Sequence, residues 1–154
     1  MNVEYRVKPA FAVIGKEGST AEGPGFIQRL WKEANACFSE ISPLAKRDGA
    51  GDFCGFWGLM SDFSRAFGPW AENFTRGLYL AGAECAEDVA APRGWVKWIV
   101  PGFEYLVVEN DDGGAFETGL AYLAAHDLTL VGAAQDFVCP KTGKGAVLLP
   151  IRRL

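Results

Sequence analysis

Apolar and polar positions along the 154-residue chain fall into two runs of elements in the same order. The segment VEYRVKPAFAVIGKEG (3–18) reads as extended. Its Pro9 marks a bend or an edge position, because proline cannot donate to a strand ladder. In GPGFIQRLWKEANACFSEI, the residues Ile27, Leu30, Trp31, Ala34, Phe38 and Ile41 recur at helical spacing. Arg29, Lys32, Glu33 and Glu40 lie mostly elsewhere around the wheel, Pro24 suits the first turn, and Pro43 marks the end. GDFCGFWGLMSDF and GLYLAGAEC read as strands, and SRAFGPWAENFTR between them reads as a loop with at most a short helical turn. After the polar AEDVAAPRG the series begins again. WVKWIVPGFEYLVVEN is extended and bent at Pro101-Gly102, AFETGLAYLAAH is a helix, and the strands LTLVGAAQDFVC and GAVLLPI are joined by the turn PKTGK.

The two halves echo one another in detail. Aligning Pro9 with Pro101 also aligns Phe11 with Phe103 and Glu17 with Glu109. A β-α-β-β order stated twice predicts an α+β domain spanning 1–154, with pseudo-repeats at about 1–85 and 94–154. One antiparallel sheet would carry both helices on one face. A ligand groove between the halves is expected on the helix-free face, which the strand aromatics would line. The echo breaks where Ala12-Val13 of the first half becomes Glu104-Tyr105 in the second.

Composition narrows the function classes. Fifteen basic and nineteen acidic residues leave a formal charge of −4, with no basic run beyond Lys46-Arg47 and Arg152-Arg153. Direct nucleic-acid binding, which draws its affinity from neutralised phosphates, is not expected. The N-terminus lacks the basic and apolar regions of a signal peptide, and no apolar stretch is long enough to span a membrane. Cys37, Cys54, Cys85 and Cys139 form no CxxC pair, and His126 is the one histidine. Those features predict reduced thiols in a cytoplasmic protein with neither metal site nor cofactor. PKTGK lacks the frame of a phosphate loop and precedes a strand.

The duplicated order, PGFEYLVV before the second helix, the closing DFVCPKTGKGAVLLPI and the series GFWGLMSDFSRAFGPWAENFTRGLYLAGAEC together resemble the gyrase-inhibitor-like (GyrI-like) domains. These are also known as the effector-binding domain of AraC-type transcription regulators, and the stand-alone form is the nearer match. The resemblance covers nearly the whole chain. It implies a pseudo-twofold sheet whose groove takes apolar, often cationic aromatic compounds, with a ring of aromatics and a carboxylate. Related members regulate transcription through an added DNA-binding domain, act on gyrase, or hydrolyse cyclopropane-bearing genotoxins. Because Met1 directly precedes the first strand, no helix-turn-helix is expected here. Many such domains carry Glu-x-Tyr on the strand after the second helix, where this chain has Gln135-Asp136-Phe137.

The expected ligand-binding residues are Trp57, Tyr79, Trp98, Glu104, Tyr105, Gln135 and Phe137. The aromatics offer planar apolar surface and attraction for a cation. Glu104 or Asp136 would offset positive charge. Strand alternation places Phe103, Tyr105 and Val107 on one face and Glu104, Leu106 and Val108 on the other, so Glu104 and Tyr105 share a groove only across a bulge. The family pattern turns Tyr105 toward the groove. Three functions follow as expectations: a binding module for a hydrophobic or cationic small molecule, a hydrolase of strained electrophiles using a groove carboxylate, and a protein-interaction module, with a protein partner or homodimer.

Overall fold

Each half begins with two strands where the sequence suggests one. The computed structural model describes residues 3–154, so Met1, on which the expectation about a preceding helix-turn-helix rests, lies outside the described residues. In chain order the elements are β1 (Val3–Lys8), β2 (Phe11–Ser19), α1 (Phe26–Ala36), β3 (Phe56–Ser61), α2 (Ala71–Phe74), β4 (Leu78–Cys85), β5 (Val96–Val100), β6 (Phe103–Glu109), α3 (Ala115–Ala125), β7 (Gln135–Val138) and β8 (Gly145–Arg153). The chain is α+β, one antiparallel eight-stranded sheet in the order β1-β6-β8-β7-β3-β4-β2-β5.

The breaks at Pro9-Ala10 and Pro101-Gly102 fall opposite each other. Lys8 faces Phe103 in the β1–β6 pair, and Phe11 faces Val100 in the β2–β5 pair. One register therefore runs through both pairs, and the two bent strands run antiparallel along their whole length. Each bend hands the chain from one half's side of the sheet to the other's. The two ends of the strand order are thereby tied together, and the sheet must curl.

The sharpest approach of backbone to backbone lies at Gly15 and Gly82, which face each other across β2 and β4. A Cβ on Gly82 would overlap the Ile14 carbonyl oxygen and stand 2.6 Å from the Gly15 Cα, and one on Gly15 would stand 2.7 Å from the Ala81 carbonyl carbon. The bend has room for backbone alone.

Curling turns the helix-free face inward. Phe11, Val13, Trp57, Leu59, Leu80, Trp98, Tyr105 and Leu148 form one buried cluster drawn from six strands. The Trp57 ring lies 4.7 Å from Phe11 and 4.8 Å from Phe137. The expectation of a ligand groove on this face is thus at odds with the packing: side chains fill it, as they fill a small closed barrel.

The helices pack on the outer face. α1 lies over β2 and β4, and α3 over β6 and β8. α1 ends at Ala36, earlier than the apolar periodicity suggests; a 3-10 turn at Phe38–Glu40 follows and still delivers Phe38 and Ile41 to the core. The expected strand from Leu128 onward shortens to β7, because residues 128–134 run beneath α3 with Leu128, Leu130 and Ala134 in its apolar cluster. α2 is a single irregular turn.

Candidate functional site

Between α1 and α3 the centre of the outer face, β3 and β7, carries no helix of its own. Strand alternation points Phe56, Gly58 and Met60 of β3 and Asp136 and Val138 of β7 into this gap. At one end, Met60, Trp70, Phe74, Phe116, Leu130 and Ala134 line a cavity of about 210 Å³. At the other, Trp31, Ala34, Asn35, Phe38, Phe56 and Val138 line one of about 350 Å³. Midway along both strands, facing each other, stand Gly58 and Asp136. The groove is two-lobed and apolar, with a carboxylate between the lobes.

Three polar groups are chained there. The Trp31 indole N–H donates to the Tyr79 hydroxyl at 3.0 Å, and that hydroxyl donates to Asp136 Oδ2 at 3.3 Å. Gly58 makes the chain possible: a Cβ there would overlap the Tyr79 hydroxyl and lie 2.6 Å from its Cζ. Desolvation raises the Asp136 carboxyl to about 6, against a smaller opposite pull from the Tyr79 hydrogen bond. Burial, and then the Asp136 charge, raise the Tyr79 phenol well above its ordinary value, so it stays a donor. Asp136 is half-buried. A carboxylate short of partners inside an apolar cleft attracts a cation that brings its own apolar surface.

The segment 62–77 roofs one lobe. Trp70 stacks on Phe26 of α1 at 6.4 Å and Phe74 meets Phe116 of α3 edge-on at 5.2 Å, so the segment touches both helices. Arg65, Phe67, Glu72, Asn73 and Phe74 all have positive φ, between 53° and 64°. Such strain in non-glycine residues concentrates at ligand clamps.

The residues expected from the sequence divide between the two faces. Trp57, Trp98, Tyr105, Gln135 and Phe137 are brought together, but in the curled interior. Gln135 Oε1 accepts from the Met60 amide at 2.9 Å, while the Gln135 Nε2 and the Tyr105 hydroxyl are buried without partners. Tyr79 alone of the seven reaches the groove centre. Glu104 lies at the sheet margin, 3.0 Å from Arg152 Nε. A register irregularity does occur beside Glu104 and Tyr105, but the extra residue is Ile151 of β8, so the two side chains keep opposite faces.

Two acids on the inner face are not among the site residues expected from the sequence. Glu84 accepts the Trp57 indole N–H at 3.0 Å and lies 3.5 Å from Lys8 Nζ, which sits 4.4 Å above the Phe11 ring. Glu17 accepts the Trp98 indole N–H at 2.7 Å and a bidentate pair from Arg65. Burial pushes the Glu17 carboxyl up, but the Arg65 and Trp98 hydrogen bonds and the Arg65 charge bring it below the usual carboxylate range. Both acids are already matched by cations of the chain. Among the described residues Asp136 has only the Tyr79 hydroxyl, and that contrast singles it out.

Among the described residues no group of histidines, cysteines or acids is placed to hold a metal, and no helix is long and apolar enough to cross a membrane.

A doubly stated ββαββ sheet with an interhelical groove defines the class of fold. No family model and no curated protein matches the chain. Solved structures do. The fold is similar to SAV2435 bound to tetraphenylphosphonium, with a TM-score of 0.62 and 12% identity over 99% of this chain and 94% of that one. It is similar to the C-terminal domain of EcmrR, with a TM-score of 0.65 and 9% identity over 99% and 98% of the two chains. Against EcmrR in its DNA complex the TM-score is 0.67 at 10% identity, and the chain spans 58% of that longer protein.

Proposed function

We propose that this chain is a small-molecule-binding domain whose interhelical groove takes lipophilic aromatic cations. The carrying observation is Asp136: a desolvated carboxylate with no cationic partner among the described residues, placed by strand register between two apolar lobes. A ligand with delocalised charge and aromatic arms would put its charge at Asp136 and its rings in the lobes. The likeness in fold to a protein bound to tetraphenylphosphonium supports this reading. Sensing or sequestering such compounds is the role it proposes.

Titration calorimetry with tetraphenylphosphonium tests it, with the neutral triphenylphosphine oxide as comparison. The cation is expected to bind and the neutral relative to bind much more weakly. Equal affinity for both, or no binding of either, overturns the proposal.

The pH dependence is a separate expectation. The ligand's charge does not titrate, so any pH effect belongs to the protein. Affinity is expected to be flat above pH 7 and to fall about tenfold per pH unit once Asp136 takes up its proton, below about 6.

A further inference from the structure

Among the described residues, the two terminal strands of the sheet, β1 and β5, each leave one edge unpaired. They differ in what guards that edge. β5 follows the 86–95 loop, to which Lys97 is tied through the Glu87 carbonyl at 2.6 Å. In β1, residues 4–7 are all exposed, with Tyr5 at 50% and Val7 at 55%. Lys8, a charge that would discourage pairing there, instead turns inward to Glu84 and Phe11.

From this edge we infer that the protein forms a twofold dimer in which β1 pairs antiparallel with β1 of a second copy, centred on Tyr5. The argument is one of register. Residues directly opposite in an antiparallel pair lie on the same face, so a continuous sheet requires a residue of β1 to face its own copy. Centring on Glu4 sets two carboxylates opposite each other, and centring on Arg6 sets two guanidinium groups opposite. Centring on Tyr5 sets Glu4 against Arg6 twice, Val3 against Val7 twice, and Tyr5 against Tyr5. Every opposed pair is then attractive or apolar.

The same treatment of β5 gives no opposite-charge pair in any register, since Lys97 is its one charged residue. Within one chain Arg6 already pairs with Glu4, both side chains about half exposed. The dimer would turn that local pair into a four-charge ladder across the twofold axis.

The test is charge reversal with complementation, read by sedimentation velocity over a concentration series. Wild type is expected to shift from monomer to dimer as concentration rises. Glu4→Arg and Arg6→Glu alone each place like charges opposite and should weaken self-association on the order of tenfold. Mixed together, the two variants should recover it, because one chain then carries arginine at both positions and the other carries glutamate at both. The double reversal should also recover it. Both positions are exposed, and thermal melts check that the variants stay folded. A wild type that remains monomeric to near-millimolar concentration overturns the inference. So does a dimer indifferent to both reversals, which would place its interface elsewhere.

Discussion

Asp136→Asn is expected to raise the melting temperature of the ligand-free protein at pH 7 while abolishing tight binding of tetraphenylphosphonium. The two effects have one cause. In the folded chain the carboxyl sits near 6, against 3.8 in an unperturbed setting, because the groove desolvates its ionised form. A group with a raised folded pKa contributes stability below its unfolded pKa and loses it as pH rises through the folded value. Wild type therefore gives up stability between about pH 4 and pH 6, at most about 3 kcal/mol. The amide cannot ionise, and its oxygen can still accept from Tyr79. Its advantage should be full at pH 7 and vanish below pH 4, a shift of several degrees at neutral pH for a chain of this size. Paired melting curves at pH 4 and pH 7 check the sign, and calorimetry at pH 7 checks the binding. If the asparagine variant were less stable than wild type at pH 7, Asp136 would be a structural acid and the groove reading would lose its main support. A stabilised variant that binds as well as wild type would move the cation's counter-charge elsewhere.

Strand parity and duplication make most of the fold legible. The echo of Pro9 and Pro101 locates the two bends, and the repeated order predicts one antiparallel sheet with helices on a single face. The curl is less visible. It depends on a register shared by two strand pairs far apart in sequence, and on two glycines facing each other across β2 and β4. Neither is local, so no periodicity reports it. This is why the sequence suggests an open groove for Trp57, Trp98, Tyr105, Gln135 and Phe137. They share a face, as alternation requires, but the face closes on itself.

Alternation along β7 sets Asp136 and Gln135 on opposite faces, so only one of them can meet a ligand in a given groove. Which one does depends on which face is accessible, and side-chain type does not decide that. Tyr79 reaches the groove because its parity is opposite to that of Leu78 and Leu80 in β4. Gly58 carries a usable signal. A glycine between Trp57 and Leu59, inside an otherwise bulky strand, marks a close approach, here that of the Tyr79 hydroxyl.

Gly82→Ala is expected to cost the most stability of any single-methyl change, about 3 kcal/mol or more, beyond the usual range for overpacking because the obstruction is backbone. An added Cβ would overlap the Ile14 carbonyl oxygen and press on the Gly15 Cα, and no rotamer change relieves either contact. Relief would require β2 and β4 to separate, which opens the curl and draws Trp57 and Trp98 away from the cluster they share with residues of β2 and β4. It would also shift Tyr79, on the same strand, from Asp136. Gly49→Ala is the matched control, since a Cβ there meets nothing within 4 Å. Urea denaturation should show a large loss of midpoint for Gly82→Ala and little change for Gly49→Ala. In whatever fraction of Gly82→Ala stays folded, tetraphenylphosphonium binding should weaken as well, because the groove floor is the outer side of the same bent sheet. Equal stability of the two alanine variants would mean that β2 and β4 do not approach this closely, and the account of why the helix-free face is closed would fail with it.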